Sequence, residues 1–482
     1  MNYRYKFMTA FLLPFLSMMC NGQTNNLAKE IEQIENGLMT SIIIKGKPIP
    51  KFSIHDRMKY HKIHGLSIVF IENNEIKWAR QYGVKEAGKS DPITRETMFQ
   101  VGSVSKPVAA VVALSLVKQR EIELDKDVKR YLKSWEIPDS KYLKEDSVTL
   151  RRILSHNAGI TNHGFAGYQP NAEIPTLIQI LNGEKPAKNK KIQVDTVPGS
   201  IWRYSGGGYT IMQQMLEDVS GITFGKLAQE QLFDKISMEH STYSQPVVEE
   251  FADRTAKAHN VFGGPLNKNL IQPELAAGGL WSTPNDLARL MIELMKEYEG
   301  KSDMILNKEL ATQMFKPQFK NWSLGLSINK VHFSHSGSCE GFRTILSGNK
   351  DKGQGVVMMT NGENGDNLMR EIMNSMAEIY DWSYISQQER EVYDVDEDTY
   401  KKYSGKYQVN PQVNMEVRYE EDLLKVYING DFLTTIYPES ENKFFILEDR
   451  HVYTFILNED GSVKGMSILG LTPRPLRAKK VL

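Results

Sequence analysis

The sequence predicts an α+β fold: an antiparallel sheet flanked by helices and carrying a helical lobe, followed by a small antiparallel β-barrel. Three observations carry this reading. Apolar runs of strand length lie at 66–82 and again at 331–361, with mostly helical periodicity between them. The stretch VAAVVALSLV, 108–117, is apolar nearly all round, as suits a helix buried between layers. Beyond about residue 400, short alternating runs recur around tight-turn dipeptides, Asn429-Gly430 and Asp460-Gly461.

In chain order, residues 1–6 are basic and residues 7–20 are apolar but too short to span a bilayer. Together 1–22 read as a signal peptide cut near Gly22-Gln23, which implies a secreted or periplasmic protein. Cys20 offers the alternative of lipoprotein anchoring, against which the bulky Met18 and Met19 argue. Residues 27–40 have helical spacing. Strands at 66–72 and 75–82 meet at Asn73-Asn74, a hairpin signal. The buried helix starts close to Ser103, because Pro107 fits only a first turn. Helices follow at 148–160, 209–221 and 284–298, with Gly159 and Gly221 placed as C-caps. SLGLSIN from Ser323 is a marginal strand. Those at 331–336, 342–347 and 355–361 are clearer, and a helix over 367–382 closes this part. The strands at both ends belong to one sheet. Residues 389–400 are acidic and read as a lead-in; strands at 413–419, 423–428, 443–447, 451–457 and 462–468 then build the barrel. The domains are therefore 23–388 and 389–482, with Tyr419, Tyr427, Phe444, Phe445, Tyr453 and Phe455 forming the core of the second.

The 482 residues carry 59 Lys and Arg against 59 Asp and Glu, so no basic surface for nucleic acid is implied. Once the leader is removed, Cys339 is the remaining cysteine, and stability must come from packing rather than disulfides. No later segment reaches the length of a membrane span. His61 and His64 form an H-x-x-H without an acidic partner pattern, so no metal and no cofactor is expected. No G-x-S-x-G elbow occurs. Cys339 lies in GSCEG without the flanks of a cysteine hydrolase.

The chemistry gathers at 103-SVSK-106. On a helix, Ser103 and Lys106 share a face. A serine hydroxyl becomes a nucleophile when a neutral amine takes its proton, and burial at a helix start disfavours the charged lysine. Tyr204, in 204-YSG-206 before a helix, can shuttle that proton if the nearby cation lowers its pKa. In 333-FSHSGSCEGF-342, His335, Ser336 and Gly337 end a strand, and Gly337 permits a substrate to lie against the backbone. The N–H groups of Ser338 and Ser103 can form an oxyanion hole. Each feature has a plainer reading by itself: an N-cap serine, a core tyrosine, an ordinary hairpin. His156 reads as a turn support near the site. Arg343 is either a fork for a substrate carboxylate or a strand-end charge.

Three motifs in this order, SVSK, YSG and HSG, with the flanks 152-RILSHNAGI-160, 197-VPGSIWRYS-205 and 277-AGGLWSTPNDLARLM-291, resemble the serine β-lactamase and penicillin-binding-protein superfamily over about 45–385. The branch is that of class C β-lactamases, DD-peptidases and related esterases. The resemblance implies a β-lactamase-like domain with a lipocalin-like barrel appended. Ser103 would be the acylated nucleophile, Lys106 and Tyr204 its base system. His335 would take the family's Lys or His position, hydrogen-bonding Tyr204 and helping to bind a substrate carboxylate. Gly206 departs from the pattern, where Asn is usual; Ser205 or a water would have to replace that partner of Lys106. The expected function is a peptidase or esterase acting through an acyl-enzyme on a small amide or ester, such as a D-residue or cell-wall-derived peptide. The alternatives are a true class C-like β-lactamase and a non-catalytic penicillin-binding or sensory module.

Overall fold

A computed structural model describes residues 26–411, 413–470 and 475–481. The expected leader, 1–22, and Cys20 lie outside them. The chain forms two compact units: Met58–Asp366, and the described residues up to Arg57 together with those from Asn367 onward.

The unit Met58–Asp366 is built on a six-stranded sheet. Its strands are β1 (Gly65–Glu72), β2 (Glu75–Gly83), β3 (Ser327–Asn329), β4 (His332–Cys339), β5 (Phe342–Asn349) and β6 (Gln354–Thr360). They lie in the order β2-β1-β6-β5-β4-β3, each neighbour antiparallel. Leu66 opposite Thr360 joins the two distant segments. Asn73 and Asn74 have φ of 55° and 59°, the left-handed pair that a tight hairpin turn needs.

The helix α1 (Ser105–Lys118) follows a 3₁₀ turn at Gly102–Val104, and every residue from Ser105 to Leu116 is buried. Pro107 sits in its first turn, where no helical hydrogen bond is lost. Each Val or Leu so buried contributes roughly 1.5–3 kcal/mol. The helix α2 (Gly206–Ser220) is capped by Ser205, whose side chain accepts from the Gly208 N–H, and ends at Gly221 with φ 72°. The short α3 (Leu275–Gly278) leads to α4 (Pro284–Glu299), which starts on the Thr283 cap and packs on β1 and β6.

The helix expected over 148–160 is shorter: it spans Leu150–Leu154. His156 (φ 60°) and Gly159 (φ 69°) then turn the chain. Gly159 is therefore not a helix cap; a Cβ there would lie 2.1 Å from the Thr196 carbonyl oxygen.

The helix α5 (Gly365–Tyr380) belongs to the other unit from Asn367 onward and carries Asn374, which donates to the carbonyls of Met39 (2.9 Å) and Thr40 (3.1 Å). Arg57 Nε donates to the buried Glu371 carboxylate at 2.7 Å. The acidic stretch 389–400 is more than a lead-in. Gln388–Arg390 pairs in parallel with Ile42–Ile44, and a helix spans Glu397–Tyr403 on an Asp396 cap.

The eight strands after it close into an antiparallel barrel. They are β7 (Gly405–Asn410), β8 (Val413–Glu420), β9 (Leu423–Ile428), β10 (Asp431–Pro438), β11 (Lys443–Phe445), β12 (Val452–Leu457), β13 (Val463–Leu469) and β14 (Leu476–Val481). Phe444, Tyr453 and Phe455 are buried in the barrel core as expected, whereas Phe445 is buried on the opposite face of its strand, against Tyr437 and the Arg390 guanidinium. Tyr419 and Tyr427 are only half-buried. The first stacks on Tyr400 at 5.2 Å and the second lies under the Arg418 guanidinium at 4.1 Å. The core is completed by residues the sequence reading passed over, Tyr403 and Tyr407, with Tyr403 stacked on Phe455 at 4.2 Å.

Candidate active site

The 3₁₀ turn that carries Ser103 is pressed against β4. Gly102 has φ 53°, and a Cβ there would lie 2.7 Å from the backbone of Ser338. A Cβ on Gly337 would lie 1.9 Å from the Val101 carbonyl oxygen. The two glycines let two backbones touch. The close approach expected at Gly337 is thus to the serine-bearing segment rather than to a substrate. Cys339 pairs with Phe342 across the two-residue turn Glu340-Gly341. Antiparallel alternation therefore turns the N–H groups of Ser336 and Ser338 away from β5, on the edge where the Ser103 turn packs.

Lys106 Nζ lies 3.2 Å from Ser103 Oγ and donates to the Ala277 carbonyl of α3 at 2.7 Å. It is 2% exposed. Burial without an adjacent carboxylate brings its pKa down to about 7. The amine sits 4.9 Å from the centre of the Tyr204 ring, and the Ser103 hydroxyl pulls the Tyr204 pKa downward. The tyrosine does not have the lowered pKa expected of a phenol beside a cation. Burial outweighs the influence of Ser103 and raises it to about 12. At neutral pH the group able to accept the serine proton is therefore Lys106, with Tyr204 a neutral phenol.

His335 is 5% exposed and is brought down to about 3, by burial first and by Lys106 second. Its Nδ1 lies 2.7 Å from the Ser336 carbonyl oxygen, which fixes the proton on Nδ1. The expected hydrogen bond to Tyr204 is not formed; the two rings stand 6.2 Å apart. His156 packs on Tyr204 at 4.2 Å and accepts the Ser205 N–H on Nδ1 at 3.2 Å, so it holds the tyrosine's turn.

At Gly206 a Cβ would meet the His163 carbonyl oxygen and the Phe165 ring, each at 3.1 Å. A side chain in the place of the expected Asn would push on both by a few tenths of an ångström. Ser205 does not replace that side chain, because its Oγ caps α2 and donates to the Thr161 carbonyl at 2.9 Å. The polar partner Lys106 has besides Ser103 is the Ala277 carbonyl. Arg343 is not open to a substrate: it is paired with Glu363 and Asp366 and donates to two backbone carbonyls. Cys339 has its thiol pushed up to about 11, chiefly by burial, which makes it a poor nucleophile. His64 Nε2 contacts the Gly263 carbonyl oxygen at 2.8 Å, and among the described residues no group of three His, Cys, Asp or Glu side chains is placed to hold a metal ion.

Ser103 opens on a cleft of about 570 Å³, whose lining includes Tyr204, His335, Ser336, Ser338, Trp202 and Trp322. The two indoles stack at 5.6 Å. The sequence reading quoted Trp202 only as part of a flank and missed Trp322, His163 and Phe165; nothing in the local pattern of these loop residues marks them. The Ala277 carbonyl, as backbone, has no sequence signal at all.

Residues 53–377 match the family model described as Beta-lactamase. A penicillin-binding protein of Bacillus subtilis (strain 168) is 22% identical over 446 residues, covering 83% of this chain and 94% of its own length. A teichoic acid D-alanine hydrolase of Staphylococcus aureus is 22% identical over 277 residues, 56% of this chain and 65% of its own length. Among solved structures, the octameric penicillin-binding protein homologue from Pyrococcus abyssi aligns with a TM-score of 0.58 at 20% identity, over 88% of this chain and 98% of that one. A class C beta-lactamase aligns with a TM-score of 0.53 at 19% identity, over 67% of this chain and 94% of that one.

Proposed function

The chain belongs to the Beta-lactamase family, and on that premise we propose that it is a secreted serine hydrolase that cleaves a small ester or amide through an acyl-enzyme. The observation that carries this is the buried amine 3.2 Å from a serine hydroxyl, with a pKa of about 7. Neutral Lys106 accepts the proton of Ser103 as Oγ bonds to the acyl carbon. The N–H groups of Ser103 and Ser338 stabilise the oxyanion. The bond to the leaving group breaks, and the leaving oxygen or nitrogen takes the proton, relayed through Tyr204. Water then attacks the ester on Ser103, gives a proton to Lys106, and the acid leaves as Oγ recovers its proton.

The name of one relative, a teichoic acid D-alanine hydrolase, supports a D-residue acyl donor. The glycine at 206 favours this reading over a β-lactamase, since no side-chain amide is presented there. Residues 1–22 would be removed on export. A fluorophosphonate probe tests the proposal: it should label the wild type at Ser103, and p-nitrophenyl acetate should be hydrolysed. Absence of both labelling and turnover would leave the non-catalytic reading.

A further inference from the structure

The cleft in front of Ser103 has an unusual chemical balance. None of the residues lining it is Lys, Arg, Asp or Glu. Arg343 is held by two carboxylates. A substrate carboxylate would therefore be desolvated there without a side-chain countercharge on the lining, at a cost of several kcal/mol.

His335 sharpens the point. With its proton on Nδ1 bound to the Ser336 carbonyl, Nε2 presents a lone pair. That atom is buried and has no partner among the described residues. A carboxylate placed against it would be repelled, whereas an N–H donor would satisfy it. The His335 ring stands 5.6 Å from Trp322 and 6.2 Å from Tyr204, on which Trp202 and His163 pack in turn, and all four line the same cleft. Aromatic faces attract cations. The position that would offer an amide to an acylated amine, 206, is a glycine against Phe165 and the His163 carbonyl.

We infer that the cleft selects an aminoacyl donor whose α-amine is free and protonated, joined to an uncharged leaving group. The ammonium donates to His335 Nε2 and lies against the Trp202–Trp322 wall. This inference rests on the acyl-enzyme reading and names its substrate class. A cation so placed also disfavours protonation of Lys106, and so raises the fraction of the amine able to act as base. The reaction is the one written above: the Ser103 ester of the amino acid forms, the alcohol leaves with the proton, and water releases the free amino acid.

The test compares three esters on the full chain at pH 7: D-alanine ethyl ester, N-acetyl-D-alanine ethyl ester, and D-alanyl-D-lactate, whose leaving group carries a carboxylate. The expected result is a kcat/KM for the first at least about tenfold above either other, the size of one charge-assisted hydrogen bond. His335→Leu should erase most of the preference for the free amine over the N-acetyl ester. His335→Gln, which keeps an acceptor, should retain more of it. Equal or faster cleavage of the N-acetyl ester or of D-alanyl-D-lactate overturns the inference. If Ser103 is labelled by fluorophosphonate in that case, the hydrolase reading stands without it; if Ser103 is not labelled and no ester is cleaved, both fall.

Discussion

Replacing Lys106 by Met should make the protein more stable at neutral pH while disabling it. The wild-type amine is taken from an ordinary value of 10.5 to about 7 by burial. The unfolded state therefore holds a proton that the native state gives up between those two values. Stability conferred by this group is lost as pH falls from 10.5 toward 7, and regained as pH rises. At 1.36 kcal/mol per pKa step, the native state carries a penalty of about 4 kcal/mol at pH 7 and about 2 kcal/mol at pH 9. Met fills a similar volume without charge. It forfeits the bond to the Ala277 carbonyl and leaves that oxygen buried, at a cost of roughly 1–3 kcal/mol. The variant should thus gain about 1–3 kcal/mol at pH 7. Its advantage should shrink by about 2 kcal/mol at pH 9, a difference from which the packing cost cancels. Urea unfolding followed by tryptophan fluorescence at the two pH values measures it. In parallel, acylation of Ser103 by a fluorophosphonate should slow by about 10²–10⁴. A stability difference that does not change between pH 7 and pH 9 would refute the assignment of a neutral, desolvated amine.

Other outcomes follow from the same geometry. The kcat/KM of wild type should fall about tenfold per pH unit below about 7, as Lys106 is protonated, and level off above it. His335, at about 3, should add no limb between pH 5 and 8; a pH–rate profile with a simple ester reads both. Tyr204→Phe should keep the fold and reduce turnover by about 10²–10⁴, more for an amide than for an activated p-nitrophenyl ester, whose leaving group needs no proton. Gly337→Ala forces the Val101 carbonyl to move and should cost about 1–3 kcal/mol in urea unfolding, together with Ser103 labelling.

Much of the sheet was legible because its strands announce themselves. The run Leu66–Ile71 is apolar but for Ser67, and Asn73-Asn74 supplies the left-handed turn. The buried helix after Ser103 was legible for a related reason: few residue patterns are apolar on every face. The barrel was harder. β10 contains DFLTTIYP and β14 contains LRAKKV, in which a single inward residue, Ala478, is fully buried. A closed barrel needs only every second position, so charged edges hide the strand. At the site, Ser103, Lys106 and Tyr204 stand out because spacing and order identify them together. What spacing cannot reveal is which groups surround them. The Ala277 carbonyl, the Phe165 ring against Gly206 and the Trp322 wall arrive from a short helix and loops distant in sequence. The pKa of Tyr204 went against expectation for the same reason: the depth of burial is a property of the folded cleft, not of the neighbouring cation.

The barrel is shaped like a vessel but stocked with its own rings. Tyr403 and Tyr400 enter from the helix Glu397–Tyr403, and Phe444, Phe455 and Tyr453 meet them inside. Such a module has little lumen to lend to a guest. A hunt for hydrophobic cargo among these rings should come back empty-handed.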